Sequence, residues 1–256
     1  MNGGAAATQV VRHEGASLPS ERLPAPVERF AHTAFGRHGS VIDTLVMEGR
    51  GRVRIGRLPW MPINIWMHHR LGRDYVGLIR VRPAGLTVLS VIDAYVDGAG
   101  ITRIGPAASI GPEVDQGAFL GMWAAAVAYP STWSGGVHWH AVDAHSARVR
   151  LPFGNGSEEA RLDFDPQSGF PVRFEADRYR TVGGPKLRWY GDSSDWRSWD
   201  GIPAPRRVTA WWSDQPTPWF EMSVESVRAN VDVDQMIDIG RQAIADARRR
   251  QEVRRR

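Results

Sequence analysis

The stretch Gly111-Pro-Glu-Val-Asp-Gln-Gly-Ala-Phe-Leu-Gly-Met-Trp-Ala-Ala-Ala-Val-Ala-Tyr-Pro130 carries no charged side chain from Gln116 onward. It reads as a helix capped by Asp115, with Phe119, Met122, Trp123, Ala126 and Val127 recurring at helical spacing on one face. The opposite face, Gly117, Gly121, Ala124, Ala125 and Ala128, is small throughout and nowhere polar. A solvent-facing helix would carry Glu or Lys there, so both sides are expected to be enclosed, the small side leaving room for a ligand. About fourteen residues at ~1.5 Å each span roughly 21 Å, short of the ~30 Å hydrocarbon core of a bilayer. The segment is expected to be a buried helix of a globular fold.

Outward from this helix the pattern is that of strands. On the N-terminal side, Val41–Met47, Arg52–Ile55, Ile63–His69, Tyr75–Arg82 and Leu86–Val96 are separated by turn residues. Glu48-Gly49-Arg50-Gly51 and Leu71-Gly72-Arg73-Asp74 are two of these, and Asp97-Gly98-Ala99-Gly100 is a hairpin signal. On the C-terminal side, strands are expected at Val137–Val142, Ala147–Leu151, Ala160–Phe164, Val172–Tyr179, Leu187–Ser193, Arg206–Trp212 and Phe220–Val227. A first helix opens at Pro26, faces inward with Val27, Phe30, Ala31 and Ala34, and stops at Gly36. A last amphipathic helix covers about Asp234–Arg250, with Met236, Ile239, Ala243, Ile244 and Ala247 as its apolar stripe.

About eleven strands joined mostly by short turns imply one large antiparallel sheet in a mainly β fold with α. So large a twisted sheet curls into a half-barrel and needs something in its hollow, and the central helix is the natural filler. Residues 1–20, rich in Gly, Ala and Ser, are expected to be disordered. Residues 21–230 form the curved-sheet domain, and 231–256 the C-terminal helix with an Arg-rich tail.

The net charge of +4 is misleading. Residues 248–256 hold six Arg and one Glu, or +5, so the remainder carries −1. The folded body is near neutral and shows no basic-aromatic pattern for nucleic acid. The tail suits RNA or acidic lipid, or is a solubilising terminus. With no cysteine, a disulfide framework, thiol catalysis and Cys-ligated zinc are excluded. No secretion signal or membrane span is visible, so a cytoplasmic location is expected.

A spaced set of short motifs resembles a bacterial family of unknown function, number 6544. The set comprises Leu23-Pro24-Ala25-Pro26-Val27, Trp60-Met61-Pro62, Asp93 to Gly100, Gly111 to Gly117, Tyr129-Pro130 and Val137-His138-Trp139. Asp143 with Ser146-Ala147, Phe164-Asp165, Arg178 and Trp211 complete it. The resemblance covers roughly residues 21–229. It implies a curved sheet similar to that of the periplasmic lipoprotein carriers, the LolA-like fold, which holds acyl chains in its concave face; fold analogy alone does not assign function. It also implies Glu at 118, Arg at 121 and Glu at 125, where this chain has Ala118, Gly121 and Ala125. A family activity carried by those groups would be lost or replaced here; if they fill the hollow, this chain has a larger and drier one.

Several residues are candidates for chemistry, each with a structural alternative. Asp115 is an N-cap or a general base. Glu113 stands on a loop at the expected mouth, where desolvation would raise its pKa as acid–base work requires. Asp93 interrupts the apolar run of Leu89, Val91 and Ile92 and needs a partner such as Arg80, Arg82 or Arg178. Tyr95 shares its strand face. His138 and His140 point to one face and suit a metal with Asp143 or His145, or form a solvated strand face. His68 and His69 take opposite faces, so one of them enters the hollow.

Tryptophans such as Trp66, Trp123, Trp139, Trp189, Trp196, Trp211, Trp212 and Trp219 line a core or a pocket. Gln116, Met122 and Arg178 join them as candidate ligand contacts. No phosphate-cradling loop, dinucleotide fingerprint, nucleophile elbow or zinc-protease motif is present, so no cofactor and no metal is expected.

The expected function is a cofactor-independent enzyme that cyclises, isomerises or dehydrates a bulky apolar molecule in the hollow. Glu113, Asp115, Asp93, His68 and His140 would be its donors and acceptors. The alternatives are a non-catalytic carrier or sensor of a hydrophobic ligand, and a partner-binding protein that uses the C-terminal helix.

Overall fold

The computed structural model describes residues 23–36, 41–56 and 58–255. The expected disordered segment 1–20 lies outside them. After helix α1 (Ala25–Phe35) come β1 (Thr44–Val53), β2 (Met61–Arg70), β3 (Asp74–Val81), β4 (Leu89–Val96), β5 (Ala99–Ile104) and β6 (Ala107–Ser109). Helix α2 (Pro112–Ala126) follows. The chain continues through β7 (His138–Ala141), β8 (Ser146–Phe153), β9 (Gly156–Phe164), β10 (Pro171–Tyr179), β11 (Lys186–Trp199), β12 (Ile202–Trp212) and β13 (Phe220–Ala229), and ends with α3 (Asp234–Arg255).

Among the described residues, thirteen strands form one sheet of order β6-β5-β4-β3-β2-β1-β13-β12-β11-β10-β9-β8-β7. Two antiparallel meanders, β1–β6 and β7–β13, are sewn together by the β1–β13 pairing. The outermost strands β6 and β7 are neighbours in sequence, joined through α2. A flat sheet of this width would measure about 58 Å across at ~4.8 Å per strand, whereas α2 covers about 22 Å. The sheet curls, and α2 lies across its concave side against β4 and β5 of one meander and β10 of the other.

Glu48-Gly49-Arg50-Gly51 is the main departure from the expected strand pattern. It lies inside a continuous β1, with a register shift against β13 between Glu48 and Gly49. A β-carbon on Gly49 or Gly51 would overlap the carbonyl oxygens of Ser223 and Glu221. The glycines mark a bulge that bends the sheet rather than a turn that ends a strand. Asp97-Gly98 is a true hairpin, both residues at positive φ (51° and 79°), and the short strands β5 and β6 follow it.

Helix α2 starts four residues earlier than expected. Gly111 is its N-cap and Pro112 its first residue, because a proline pre-set for helical φ loses nothing where the N–H would be unpaired. Asp115 therefore sits in the first turn and is not the cap. Its carboxylate accepts a 2.6 Å hydrogen bond from the Gly100 amide, tying the helix to β5. Gln116, 2% exposed, ties the other side: its Nε2 donates to the Asp177 carbonyl (2.8 Å) and its Oε1 accepts from the Tyr179 amide (3.2 Å).

Helix α3 covers the convex face of β3–β5. Its buried stripe is Ile237, Gly240, Ala243, Ile244 and Ala247, with Val46, Val76, Ile92, Ala94 and Ile101 beneath. Met236 and Ile239, expected on that stripe, are displaced from it; Ile239 is 39% exposed. Gly240 is what sets the contact. A β-carbon there would lie 2.7 Å from Val76 Cγ2, so the helix seats on its glycine.

Candidate ligand cavity

The bulky and the small faces of α2 have different surroundings. Phe119 packs edge-on against Tyr95 (5.5 Å) and near Phe153 (4.7 Å), and Met122 and Trp123 are buried in the same core. Gly117, Gly121, Ala124, Ala125 and Ala128 instead line a cavity of about 900 Å³ between the helix and the sheet. That volume stands at the upper end of ordinary ligand sites. Ala118, Gly121 and Ala125, where the resemblance implies Glu, Arg and Glu, all line it. The small side chains at these positions leave volume beside α2.

The apolar part of the far wall comes from strand residues of one parity. β1–β3 contribute Met47, Val53, Ile65, Met67, Tyr75 and Ile79; β10–β13 contribute Phe174, Trp189, Val208, Trp212 and Phe220. Trp196 and Trp219 complete an indole-rich side. Methionine and tryptophan give an apolar wall that adapts to a ligand at one end and fixes its shape at the other.

Apolar surface dominates the cavity, but charged side chains also reach it: Arg54, Asp93, Glu113, Arg173, Arg178, Arg180 and Asp192. Asp93 accepts a hydrogen bond from Thr102 Oγ1 (2.8 Å), both lining the wall. Arg80 and Arg82, two of its expected partners, are elsewhere: Arg80 stacks on Trp66, and Arg82 donates to the Gly85 carbonyl. Tyr75 lies over Gly77, and burial, reinforced by the Asp93 charge, raises its hydroxyl pKa above the ordinary value. Glu113 lines the cavity from the start of α2, where its Oε1 accepts from the Gly183 amide at 3.1 Å.

Arg178 is the unusual group. It projects from β10 into the cavity between α2 and the indoles, its guanidinium 4.8 Å from the centre of the Trp189 ring and 6.0 Å from that of Trp212. Among the described residues none of its nitrogens makes a hydrogen bond and no carboxylate comes within ion-pair distance, and its Nε is buried without a partner. Burial pushes its pKa below the usual arginine value, with Asp93 and Tyr75 pulling the other way. Gly117 and Gly121 make its seat, since a β-carbon at Gly117 would stand 3.2 Å from Nε. The residue as a whole is half-buried, its terminal nitrogens open to the cavity; a charge drawn out of water without a partner is costly, and an indole face returns only about 0.5–2 kcal/mol.

Of the expected catalytic residues, Glu113 and Asp93 reach this cavity and the others do not. Asp115 is engaged with Gly100 below the helix; burial raises its pKa, and the Gly100 amide opposes that shift. His68 faces the convex side, because the cavity takes the opposite parity of β2, Ile65 and Met67. His69 turns inward but lies in the core, 4.8 Å from the Tyr75 ring. His140 is exposed on edge strand β7. Among the described residues no three His, Asp or Glu side chains come together to hold a metal.

Of the expected ligand contacts, Arg178 lines the cavity, while Tyr95, Gln116, Met122 and Trp123 are packed behind or beside it. Trp66 lies on the convex face, Trp139 packs edge-on against Trp133 (5.5 Å), and Trp211 stacks on Tyr190 (4.4 Å) while donating to Asp192. Tyr75, Met67 and Thr102 were not anticipated. The signal for them was strand parity: once Met67 faces inward, its partner Gly77 places Tyr75 on the same side.

Fold and cavity together define a curled antiparallel sheet that encloses an apolar chamber beneath a helical strut. Within that class the chain belongs to the family of unknown function DUF6544, whose model matches residues 16–222. No curated protein matches its sequence. Among solved structures it is similar to a LolA superfamily protein of Nitrosomonas europaea, at 10% identity and a TM-score of 0.48, covering 84% of this chain and 98% of that one. It is also similar to a DUF1329 family protein of Desulfovibrio piger, at 10% identity and a TM-score of 0.45, covering 82% and 95%. A domain provisionally assigned as an outer membrane lipoprotein-sorting protein of Vibrio parahaemolyticus scores 0.44 at 11% identity, covering 85% and 97%. At this overlap the likeness bears on neither ligand nor activity. Among the described residues no helix is long and apolar enough to cross a membrane.

Proposed function

We propose that this protein binds an apolar small molecule non-covalently in the concave cavity, as a carrier or sensor. The observation that supports this is the 900 Å³ chamber, walled by Met, Ile and Trp and roofed by the side-chain-poor face of α2. Burying a ligand's apolar surface there gains about 25 cal/mol per Å². Sequestering a molecule needs no more than that, and the dispersed carboxylates and histidines are consistent with a site that holds rather than converts.

A test uses methyl dodecanoate as an apolar probe. Trp189, Trp196, Trp212 and Trp219 line the chamber, so intrinsic fluorescence is expected to shift on binding, with saturation at one or a few molecules per chain. Organic extracts of the purified protein are expected to contain a long-chain species that incubation leaves unchanged. No fluorescence response and an empty extract would refute the reading. An acid–base enzyme is favoured by one narrower observation, Asp93 sharing the chamber with Tyr75 and Thr102. Chemical conversion of the co-purified molecule, abolished in Asp93→Asn, would return that reading to the front.

A further inference from the structure

Resting on the apolar-ligand reading, we propose that the ligand of this cavity is an amphiphile with a carboxylate head, seated on Arg178. Arg178 stands in the wall of a mostly apolar chamber, with neither hydrogen-bonding nor ion-pair partner among the described residues. The other arginines that line the cavity already have partners: Arg54 donates to Thr217, and Arg173 and Arg180 pair with Asp192 at 2.7 Å and Asp214 at 3.0 Å. Asp93 acts on Arg178 electrostatically, but it is hydrogen-bonded to Thr102 and does not pair with it.

The orientation of the guanidinium points to the same head group. Its face lies against Trp189, and its Nε side is sealed against α2 at Gly117. The terminal nitrogens remain, and their donors suit two oxygens in one plane, which is the geometry of a carboxylate. Lysine would offer a point charge with no such match. The cavity also has hydrocarbon surface on both sides of that point, α2's small residues on one and the Trp212 wall on the other, so a chain leaving the head stays covered.

The experiment compares dodecanoate, methyl dodecanoate, 1-dodecanol and dodecyl phosphate, each below its self-association threshold, by titration calorimetry and tryptophan fluorescence on the full chain. Dodecanoate is expected to bind at least tenfold tighter than the ester or alcohol, although water holds the carboxylate more strongly. In Arg178→Met that order is expected to reverse, because the unpaired carboxylate must then be buried. Arg178 satisfies no acceptor in the free protein, so the variant orphans none. The wild-type comparison stands without it if it fails to fold.

Equal binding of acid and ester by wild type would overturn the head-group assignment while leaving the apolar-ligand reading intact. Tighter binding of the phosphate would also overturn it, in favour of a phosphate head. No binding of any of the four would remove both.

Discussion

The same sheet carries a helix on each face, and the two contacts are built on opposite plans. On the convex side α3 presses onto β3–β5 so closely that Gly240 is its point of contact, with Val76, Ala94 and Val96 beneath. On the concave side α2 is fastened at its first turn, through Asp115 to Gly100 and Gln116 to β10, and then turns Ala124 and Ala125 to the cavity, with Gly121 under Arg178. Small residues serve in both places. Against α3 they admit a neighbour; along α2 they hold one off, which is why one interface belongs to stability and the other to binding.

The difference is sharpest for enlarged side chains. Gly240→Leu is expected to cost about 3 kcal/mol or more of unfolding free energy, because Val76 and Val96 already stand within 3.1 Å of the added β-carbon. Urea denaturation would show it as a lower midpoint at unchanged slope. A wild-type midpoint would mean that α3 is loosely held and that the two plans do not differ.

The next effect is one of pH. His69 is buried with neither ring nitrogen hydrogen-bonded, and burial, followed by the His68 charge, lowers its pKa from 6.5 to about 3. The folded protein keeps it neutral while the unfolded chain takes up a proton. Stability from this group is therefore complete above about pH 6.5 and is lost as pH falls toward 3, at about 1.4 kcal/mol per unit. By pH 5 the loss is about 2 kcal/mol. His69→Met is expected to abolish that slope, so the two proteins' melting temperatures diverge only in acid.

Gln116→Ala comes third. It strands the Asp177 carbonyl and the Tyr179 amide, at a cost of about 1–2 kcal/mol. Hydrogen exchange should quicken in α2 and β10 and remain slow in α3. The smallest effect on the fold is expected from Ala125→Leu, within about 0.5 kcal/mol of wild type because the added carbons enter empty volume. Its affinity for methyl dodecanoate should nonetheless fall at least tenfold. A large loss of stability instead would show that α2 is as tightly seated as α3.

How far this was legible in the sequence depends on the element. The uncharged run after Asp115 announced a helix enclosed on both sides, and its glycines and alanines announced the hollow. Gly111-Pro112 competed with Asp115 as a start signal and prevailed, because a proline at the first helical position needs no cap beside it. Glu48-Gly49-Arg50-Gly51 has the composition of a turn, and only pairing with β13 reveals a bulge. The site was harder to read. Trp211 and Trp212 are adjacent, yet one faces out and the other lines the chamber; the parity of β12 is fixed by register with β11 and β13, which no local pattern carries. His68 and His69 pose the same problem on β2. Arg178 was visible as a candidate, but its lack of a partner appears only once β10, α2 and the indoles are brought together.

The bulge at Glu48–Gly51 bends β1 through main-chain geometry, whereas the contents of the chamber are governed by side chains along the strands and on α2. Calibre and lining are thus separately adjustable. A homologous chain that keeps this bend can exchange its inner wallpaper and accept a different cargo without redesigning the frame.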